Sequence, residues 1–187
     1  ANSNAADLLR VQVGDGTTTT TLTPDIAITI TPVNDAPTLT KGAQLTTMTE
    51  GDTNPAGTLV TAILAGSGSA DADAGALQGI AIVGTNTTQG TWWYSTNGGA
   101  NWLSMGARND QNALLLAGDA GTMIRFIPAT DFNGTAWIQY RAWDRTSGTA
   151  GSTVDLSDPA TLGGDKAFSA AKQLGTVAVA AVNDAPT

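Results

Sequence analysis

The hexapeptide Val33-Asn34-Asp35-Ala36-Pro37-Thr38 recurs unchanged at residues 182–187, which is 149 residues later. An identical string at the spacing of one domain indicates a tandem repeat. Alternating apolar residues precede both copies, at 26–32 and 177–181, as expected for a final strand that leads into a linker. The repeat predicts two regions: residues 1–37, the C-terminal strands and linker of a preceding repeat, and residues 38–187, a complete repeat that ends in the next linker.

Short runs rich in β-branched and aromatic residues, separated by Gly, Asn, Asp and Pro, fill the complete repeat. The predicted strands are 58–64, 79–83, 90–95, 113–116, 122–127, 135–142 and 175–181. The runs 113–117 and 167–174 are also compatible with a helical turn or two. Seven short strands at this spacing predict an all-β fold, a Greek-key β-sandwich. About twenty residues around 148–170 have no counterpart in the preceding repeat.

The composition excludes most enzyme chemistry. The chain contains no Cys and no His, so it lacks thiolate nucleophiles, Cys- or His-ligated metals and the usual general base near neutral pH. A net charge of −8 repels nucleic acid and anionic membranes. No stretch approaches the eighteen apolar residues of a membrane span. We therefore expect a non-enzymatic protein that neither binds nucleic acid nor inserts into a membrane.

The acidic residues point to a hard cation. Of the sixteen, fifteen are Asp, and Glu50 is the only Glu. Asp71 and Asp73 form an Asp-x-Asp loop, and the linker supplies an amide and a carboxylate from Asn34 and Asp35. Calcium takes six to eight oxygen ligands from such groups. The alternative from the residues alone is that these side chains cap turns.

The acidic segments resemble the cadherin pattern, in the same order along the chain. Glu50-Gly-Asp followed by Pro55-Ala-Gly-Thr-Leu-Val60 and Asp71-Ala-Asp73 is similar to its Glu-Asn, Pro-x-Gly-Thr-x-Val and Asp-x-Asp segments. Ala142-Trp-Asp144 resembles the cadherin Ala-x-Asp. The repeat as a whole resembles the cadherin-like repeats, with Val-Asn-Asp-Ala-Pro linkers, of giant bacterial calcium-dependent surface adhesins of the RTX type. The cadherin Leu-Asp-Arg-Glu motif is missing, and Asp131 is only a positional substitute for it.

The resemblance implies a cadherin/immunoglobulin-like sandwich and a set of Ca2+ ligands at both of its ends. One site would join the first linker to the Asp-x-Asp and Ala-x-Asp segments, and Glu50 would join the second linker at the far end. Asp15 would be the preceding repeat's counterpart of Asp144. The implied metal ligands are Asn34, Asp35, Asp71, Asp73, Asp144, Glu50, Asn183, Asp184 and Asp15.

A second notable segment is Gly90-Thr-Trp-Trp-Tyr-Ser-Thr-Asn-Gly-Gly-Ala-Asn-Trp102. Its Ser95-x-Asn97-x-Gly99-x-x-Trp102 part resembles the Asp-box of sialidase-type propellers, a device that closes a β-hairpin over a Trp. We interpret it as a hairpin. The functional alternative is a glycan-binding module in which Trp92, Tyr94 and Trp102 stack on a sugar. Strand alternation places Trp92 and Tyr94 on one face and Trp93 on the other.

Together these patterns predict a calcium-rigidified extender module of a secreted adhesin on the bacterial cell surface, with neighbouring repeats of the same chain as its partners. The strand-like runs 9–13 and 25–31 lack a parent domain. Isolated strands expose unpaired edges. They would therefore fray, pair with residues 38–187, or self-associate with a second molecule, and we expect one of the last two.

Overall fold

The computed structural model describes residues 7–9, 12–14, 16–21, 26–28 and 31–183. The chain divides into two compact units, residues 1–34 and 35–187. The division falls within the first Val-Asn-Asp-Ala-Pro linker, close to the boundary that the repeat predicts. Two of the predicted ligands, Asp15 and Asp184, lie outside the described residues.

The described residues of the first unit form four three-residue strands: β1 (Asp7–Leu9), β2 (Gln12–Gly14), β3 (Thr19–Thr21) and β4 (Ile26–Ile28). β1 pairs antiparallel with β4, and β2 pairs antiparallel with β3. The described strands of this unit therefore pair with one another. The sequence suggested two strand-like runs here, 9–13 and 25–31, whereas the described residues form four shorter strands.

The second unit consists mainly of two β-sheets with short connections. Its elements are β5 (Ala43–Gln44), β6 (Met48–Thr49), β7 (Thr58–Leu59), α1 (Val60–Gly66), β8 (Gly79–Thr85), β9 (Gly90–Ser95), β10 (Leu103–Ser104), β11 (Ala113–Ala117), β12 (Met123–Pro128), β13 (Gly134–Trp143), β14 (Thr153–Val154) and β15 (Gln173–Ala180), with 3₁₀ turns at Asp110–Asn112 and Pro159–Thr161. The smaller sheet has the order β10-β9-β12-β7, and the larger has the order β14-β11-β8-β13-β15-β5. β6 also pairs with β15. The pairings of β15 with β5 and β6 are parallel and the others in this unit are antiparallel.

The two sheets share one apolar core, which confirms the prediction of an all-β sandwich at the level of fold class. Alternate residues of the longer strands face it, as the two-residue period of a strand requires. Its largest fully buried side chains include Trp92 and Phe126 from the smaller sheet and Ile80 and Tyr140 from the larger. The rings of Trp92 and Phe126 lie 4.9 Å apart.

One predicted strand is wrong. The run 58–64 is a strand only at Thr58–Leu59, and Val60–Gly66 forms helix α1. Val60, Ile63 and Leu64 are its buried residues, a spacing that places them on one helical face. The β-branched content of the run misled the prediction, whereas the spacing of its apolar residues would have indicated the helix. No helix in the described part of the chain is long and apolar enough to cross a membrane.

Residues 147–170, which we call the cap, cover the outer face of the larger sheet. Leu156, Ala167 and Phe168 of the cap are buried in a second core with outward-facing residues of the sheet, among them Val83 and Leu115. The ring of Phe168 stacks on Trp143 at the end of β13, with centroids 6.4 Å apart and planes 12° from parallel. The extra residues found in the sequence are thus a third layer over part of the sandwich.

Candidate metal centre

The predicted ligands of the second unit gather at the two ends of strand β13. Asp144 follows the last residue of β13 directly, and Asn133 immediately precedes its first. The ten residues of this strand span about 33 Å at the usual rise. One end holds Asp144 near the first linker, and the other holds Glu50 near the second.

Asp35, Asp71, Asp73 and Asp144 form an acidic cluster at the first of these ends. The N–H of Asp35 donates to Asp73 Oδ2 at 2.8 Å, and the N–H of Asp73 donates to Asp71 Oδ1 at 2.8 Å. The charges of the other three carboxylates act directly on Asp71. The structure therefore brings together four of the ligands that the resemblance implies.

Asp144 is the most buried carboxylate of the cluster, with only 3% of its surface exposed. Its Oδ1 accepts hydrogen bonds from the N–H of Thr146 at 2.8 Å and from the Thr146 hydroxyl at 2.6 Å. Its backbone N–H donates to the carbonyl of Ala167 in the cap at 3.0 Å. A buried charge is costly unless it is paired or hydrogen-bonded, and these donors offset part of that cost.

Asp71 has one buried carboxylate oxygen that lacks a partner in the described structure. Burial raises the pKa of its carboxyl above the ordinary value, the N–H of Asp73 lowers it, and the neighbouring charges of Asp73, Asp144 and Asp35 raise it further. Its Oδ2 is buried and has no hydrogen-bond partner among the described residues. A cation beside this oxygen would give it a partner and would offset the repulsion between the neighbouring negative charges.

In the described residues, no group of three or more acidic side chains is already arranged to hold a metal ion. The contacts give a physical reason, because Asp71 and Asp73 each direct one oxygen to a backbone N–H and Asp144 directs one to Thr146. The turn-capping alternative therefore describes part of what these carboxylates do. Carboxylates are nevertheless the oxygen ligands that calcium prefers.

Glu50 lies at the other end of the sandwich and is well satisfied. Its carboxylate accepts hydrogen bonds from the N–H of Val182 and, at 2.9 Å, from the side-chain amide of Asn133. These two donors, the Val182 N–H first, lower the pKa of Glu50 below its ordinary value. The N–H of Glu50 also donates to the carbonyl of Ala180 at 2.9 Å. The structure thus places Glu50 beside the second linker, as the resemblance implies.

The remaining predicted ligands stay predictions. Asn34 is the last residue of the first unit. Asn183 follows Val182, whose N–H contacts Glu50, and it is exposed. Asp15 and Asp184 lie outside the described residues.

The Ser95–Trp102 segment closes a β-hairpin, as its sequence predicts. β9 and β10 pair antiparallel, with Tyr94 opposite Leu103. Ser95 Oγ accepts from the N–H of Gly99 at 2.9 Å, and Asn97 Oδ1 accepts from the N–H of Asn101 at 2.9 Å. Ser95 and Asn97 are therefore devoted to turn geometry.

The glycan-stacking surface proposed for this hairpin needs correction. Trp92 is 1% exposed and Tyr94 is 9% exposed, because both side chains fill the core between the sheets. Their rings offer no face to a sugar. Trp102 is half-buried, and the guanidinium of Arg125 lies over its ring at 4.1 Å. The half-buried Trp93 is the aromatic on the outer side of β9, as strand alternation predicts.

Sequence reasoning missed the hydrogen-bond partners of the acidic residues. Asn133, the partner of Glu50, lies in the turn around Asp131 that was singled out only for its position. Thr146, the partner of Asp144, follows it by two residues, a spacing typical of Asx turns. The contact from Ala167 in the cap is made through the backbone and leaves no mark on the sequence.

Comparisons with known proteins gave no match, whether with protein-family models, with curated proteins or with solved structures.

Proposed function

We propose that residues 35–187 form a calcium-binding extender module of a large bacterial surface adhesin of the RTX type, with a Greek-key, cadherin/immunoglobulin-like topology. In this proposal the module is secreted, serves cell adhesion without catalysing a reaction, and has neighbouring repeats of its own chain as partners. Calcium bound beside the linker neutralises facing carboxylates and stiffens the linker.

The observation that carries the proposal is the state of Asp71. Its buried Oδ2 has no hydrogen-bond partner among the described residues, and three other carboxylates act on it. Asp35, Asp71, Asp73 and Asp144 would hold the ion, with each carboxylate turning an oxygen toward it. The ion would supply positive charge to a cluster that otherwise repels itself. A chain without His or Cys offers only such oxygen ligands.

A calcium titration of thermal unfolding tests the proposal. Calcium that binds only the folded chain stabilises it by RT ln(1 + [Ca2+]/Kd), which is about 2.7 kcal/mol at a hundredfold excess over Kd. We expect the melting temperature of the intact chain to rise with calcium and to fall again with chelator. Magnesium is the matched control, because it prefers a rigid octahedral shell with several waters and should shift the melting temperature less. A melting curve that calcium and chelator leave unchanged would refute the proposal.

Self-association through residues 1–37 remains a separate proposal. The described strands of the first unit form only two-stranded pairs, and such pairs are marginally stable alone. Light scattering over a concentration series, with a chain starting at Ala36 as control, tests it. A mass that rises with concentration only for the intact chain supports self-association, and a constant monomer mass excludes it.

A further inference from the structure

The cap is anchored firmly where it returns to the sandwich. The guanidinium of Arg141, itself 5% exposed, donates to the carbonyls of Ser169 at 3.2 Å and Ala170 at 2.6 Å. It also pairs with Asp110 at 3.4 Å, and Lys172 pairs with the same carboxylate at 2.5 Å. Arg141 of β13 therefore holds this end of the cap by charge-assisted hydrogen bonds, which are stronger than neutral ones.

The same stretch of the cap pairs with the last residues of β13. Phe168 forms an antiparallel bridge with Trp143. The N–H of Ser169 donates to the carbonyl of Ala142 at 3.0 Å, and the Ser169 hydroxyl accepts from the N–H of Ala142 at 2.9 Å. The N–H of Asp144 then donates to Ala167. The backbone on either side of Trp143 is thereby fixed by the cap, and with it the position of Asp144.

The cap also reaches the first linker. The carbonyl of Gly164 accepts a hydrogen bond from the N–H of Ala36 at 2.7 Å. On either side of Ala36, the N–H of Asp35 donates to Asp73 Oδ2 and Thr38 forms an antiparallel bridge with Ala70. Within the second unit, the linker thus donates to the Asp-x-Asp loop from Asp35, to the cap from Ala36 and to Ala70 from Thr38.

We propose that the cap is the positioning element of the acidic cluster, and that it holds Ala36 of the linker and Asp144 in place without any metal ion. The role of the cluster as a calcium site rests on the proposed function above, whereas the metal-free holding of the linker does not. A site whose parts are ordered beforehand loses less conformational entropy when an ion binds. Releasing the linker from the cap should therefore weaken calcium binding while leaving all four carboxylates in the chain.

A substitution at Gly164 is the way to release the linker from the cap. Its φ of +59° lies in the left-handed region, and a Cβ added there would meet no atom within 4 Å. A β-branched residue is strained at such a φ, while Asn tolerates it. Gly106 is a matched control: its φ is +63°, its Cβ position is equally open, and its carbonyl accepts a hydrogen bond from Thr85 Oγ1 at 3.0 Å.

The experiment compares the intact chain with Gly164→Val, Gly164→Asn and Gly106→Val. Amide hydrogen exchange at Ala36 is measured first, in chelator. We expect protection in the parent chain, at least tenfold faster exchange in Gly164→Val, and near-parent exchange in the other two variants. Gly164→Ala, with a smaller strain, replaces the Val variant if near-ultraviolet circular dichroism shows that the latter does not fold. Unprotected Ala36 in the parent chain, or equal exchange in all variants, would overturn the proposal.

Calcium affinity is measured next on the same proteins, with calcium chloride as the probe. Loss of one ordering hydrogen bond should weaken binding by about fivefold to tenfold in Gly164→Val, with values close to the parent in Gly164→Asn and Gly106→Val. Faster exchange at Ala36 with unchanged calcium affinity would overturn the positioning of the cluster. If the parent chain binds no calcium, the proposed function fails, while the exchange data still decide whether the cap holds the linker.

Discussion

The carboxylates at the two ends of β13 belong to the same predicted set of ligands, yet their surroundings are opposite. Asp71 lies among three other carboxylates and keeps a buried oxygen without a hydrogen-bond partner in the described structure. Glu50 receives the N–H of Val182 and the amide of Asn133. The pKa of Asp71 is raised, first by its burial, and that of Glu50 is lowered by its two donors.

The difference shows that residue type and motif do not decide whether an acidic residue needs a cation. At the end near the first linker, protein donors leave negative charge uncompensated, so a bound cation would stabilise the folded chain there. At the far end, the Val182 N–H and the Asn133 amide already satisfy Glu50. We therefore expect the acidic cluster to account for calcium binding by this chain, and Glu50 to stabilise the start of the second linker without metal.

The largest expected effect comes from removing the aromatic contact that holds the cap on the end of β13 nearest the first linker. Phe168→Ala deletes a buried ring stacked on Trp143. Such truncations cost about 3 to 5 kcal/mol, so the melting temperature should fall by roughly 10 °C. Hydrogen exchange at Ala36 should rise more than at Val182, because the cap holds the linker end. Leu103→Ala, at a side chain that is 55% exposed, is the control and should change stability little. An equal increase in hydrogen exchange at Ala36 and at Val182 would contradict the expectation that the cap holds only the end of the sandwich near the first linker.

The effect of Asp71→Asn on the free energy of unfolding should have opposite signs without and with calcium. In chelator the substitution removes a carboxylate from a repelling cluster, so stability should rise, by at most about 1 kcal/mol for a partly exposed group. In saturating calcium the variant should be less stable than the parent, because a ligand is lost. Thermal unfolding in both conditions measures this, with Asp165→Asn as control at an exposed carboxylate paired with Lys166. A variant that is less stable than the parent in chelator would contradict the electrostatic account of Asp71.

The two ends should also respond to pH in opposite directions in chelator. The raised pKa of Asp71 means that the folded state binds its proton more tightly than the unfolded state, so its contribution falls as the pH rises through its folded pKa. The lowered pKa of Glu50 gives a contribution that is present above pH 4.5 and is lost as the pH falls through its folded pKa. Unfolding of the parent, Asp71→Asn and Glu50→Gln measured from pH 3 to 7 isolates each contribution. If the stability differences between the parent and each of the two variants changed with pH in the same direction, the contrast between Asp71 and Glu50 would be wrong.

The strands of the sandwich were predictable where their pattern is local. Gly90–Ser95 forms the predicted strand with the predicted bounds, and its alternation correctly separates Trp92 and Tyr94 from Trp93. The turn after it was recognisable because Ser95 and Asn97 act on backbone groups within a few residues. Local chemistry of this kind is written into neighbouring residues, so a sequence suffices to find it.

The rest depended on contacts between distant segments. The composition of 58–64 favours a strand, yet the core takes Val60, Ile63 and Leu64 from one helical face. The sequence contains the extra residues of the cap but not the sheet face they cover. The hydrogen bond from Ala36 to Gly164 joins two backbone groups, so no side chain signals it. The acidic cluster was found from motifs, whereas the contrast between Asp71 and Glu50 emerged only from their neighbours.

Calorimetric titration of calcium into the parent chain, the Asp71→Asn/Asp73→Asn double variant and Glu50→Gln tests the central claim most directly. The account predicts that the parent and Glu50→Gln bind calcium with the same affinity and that the double variant loses that binding. Binding that survives in the double variant and disappears in Glu50→Gln would contradict the account.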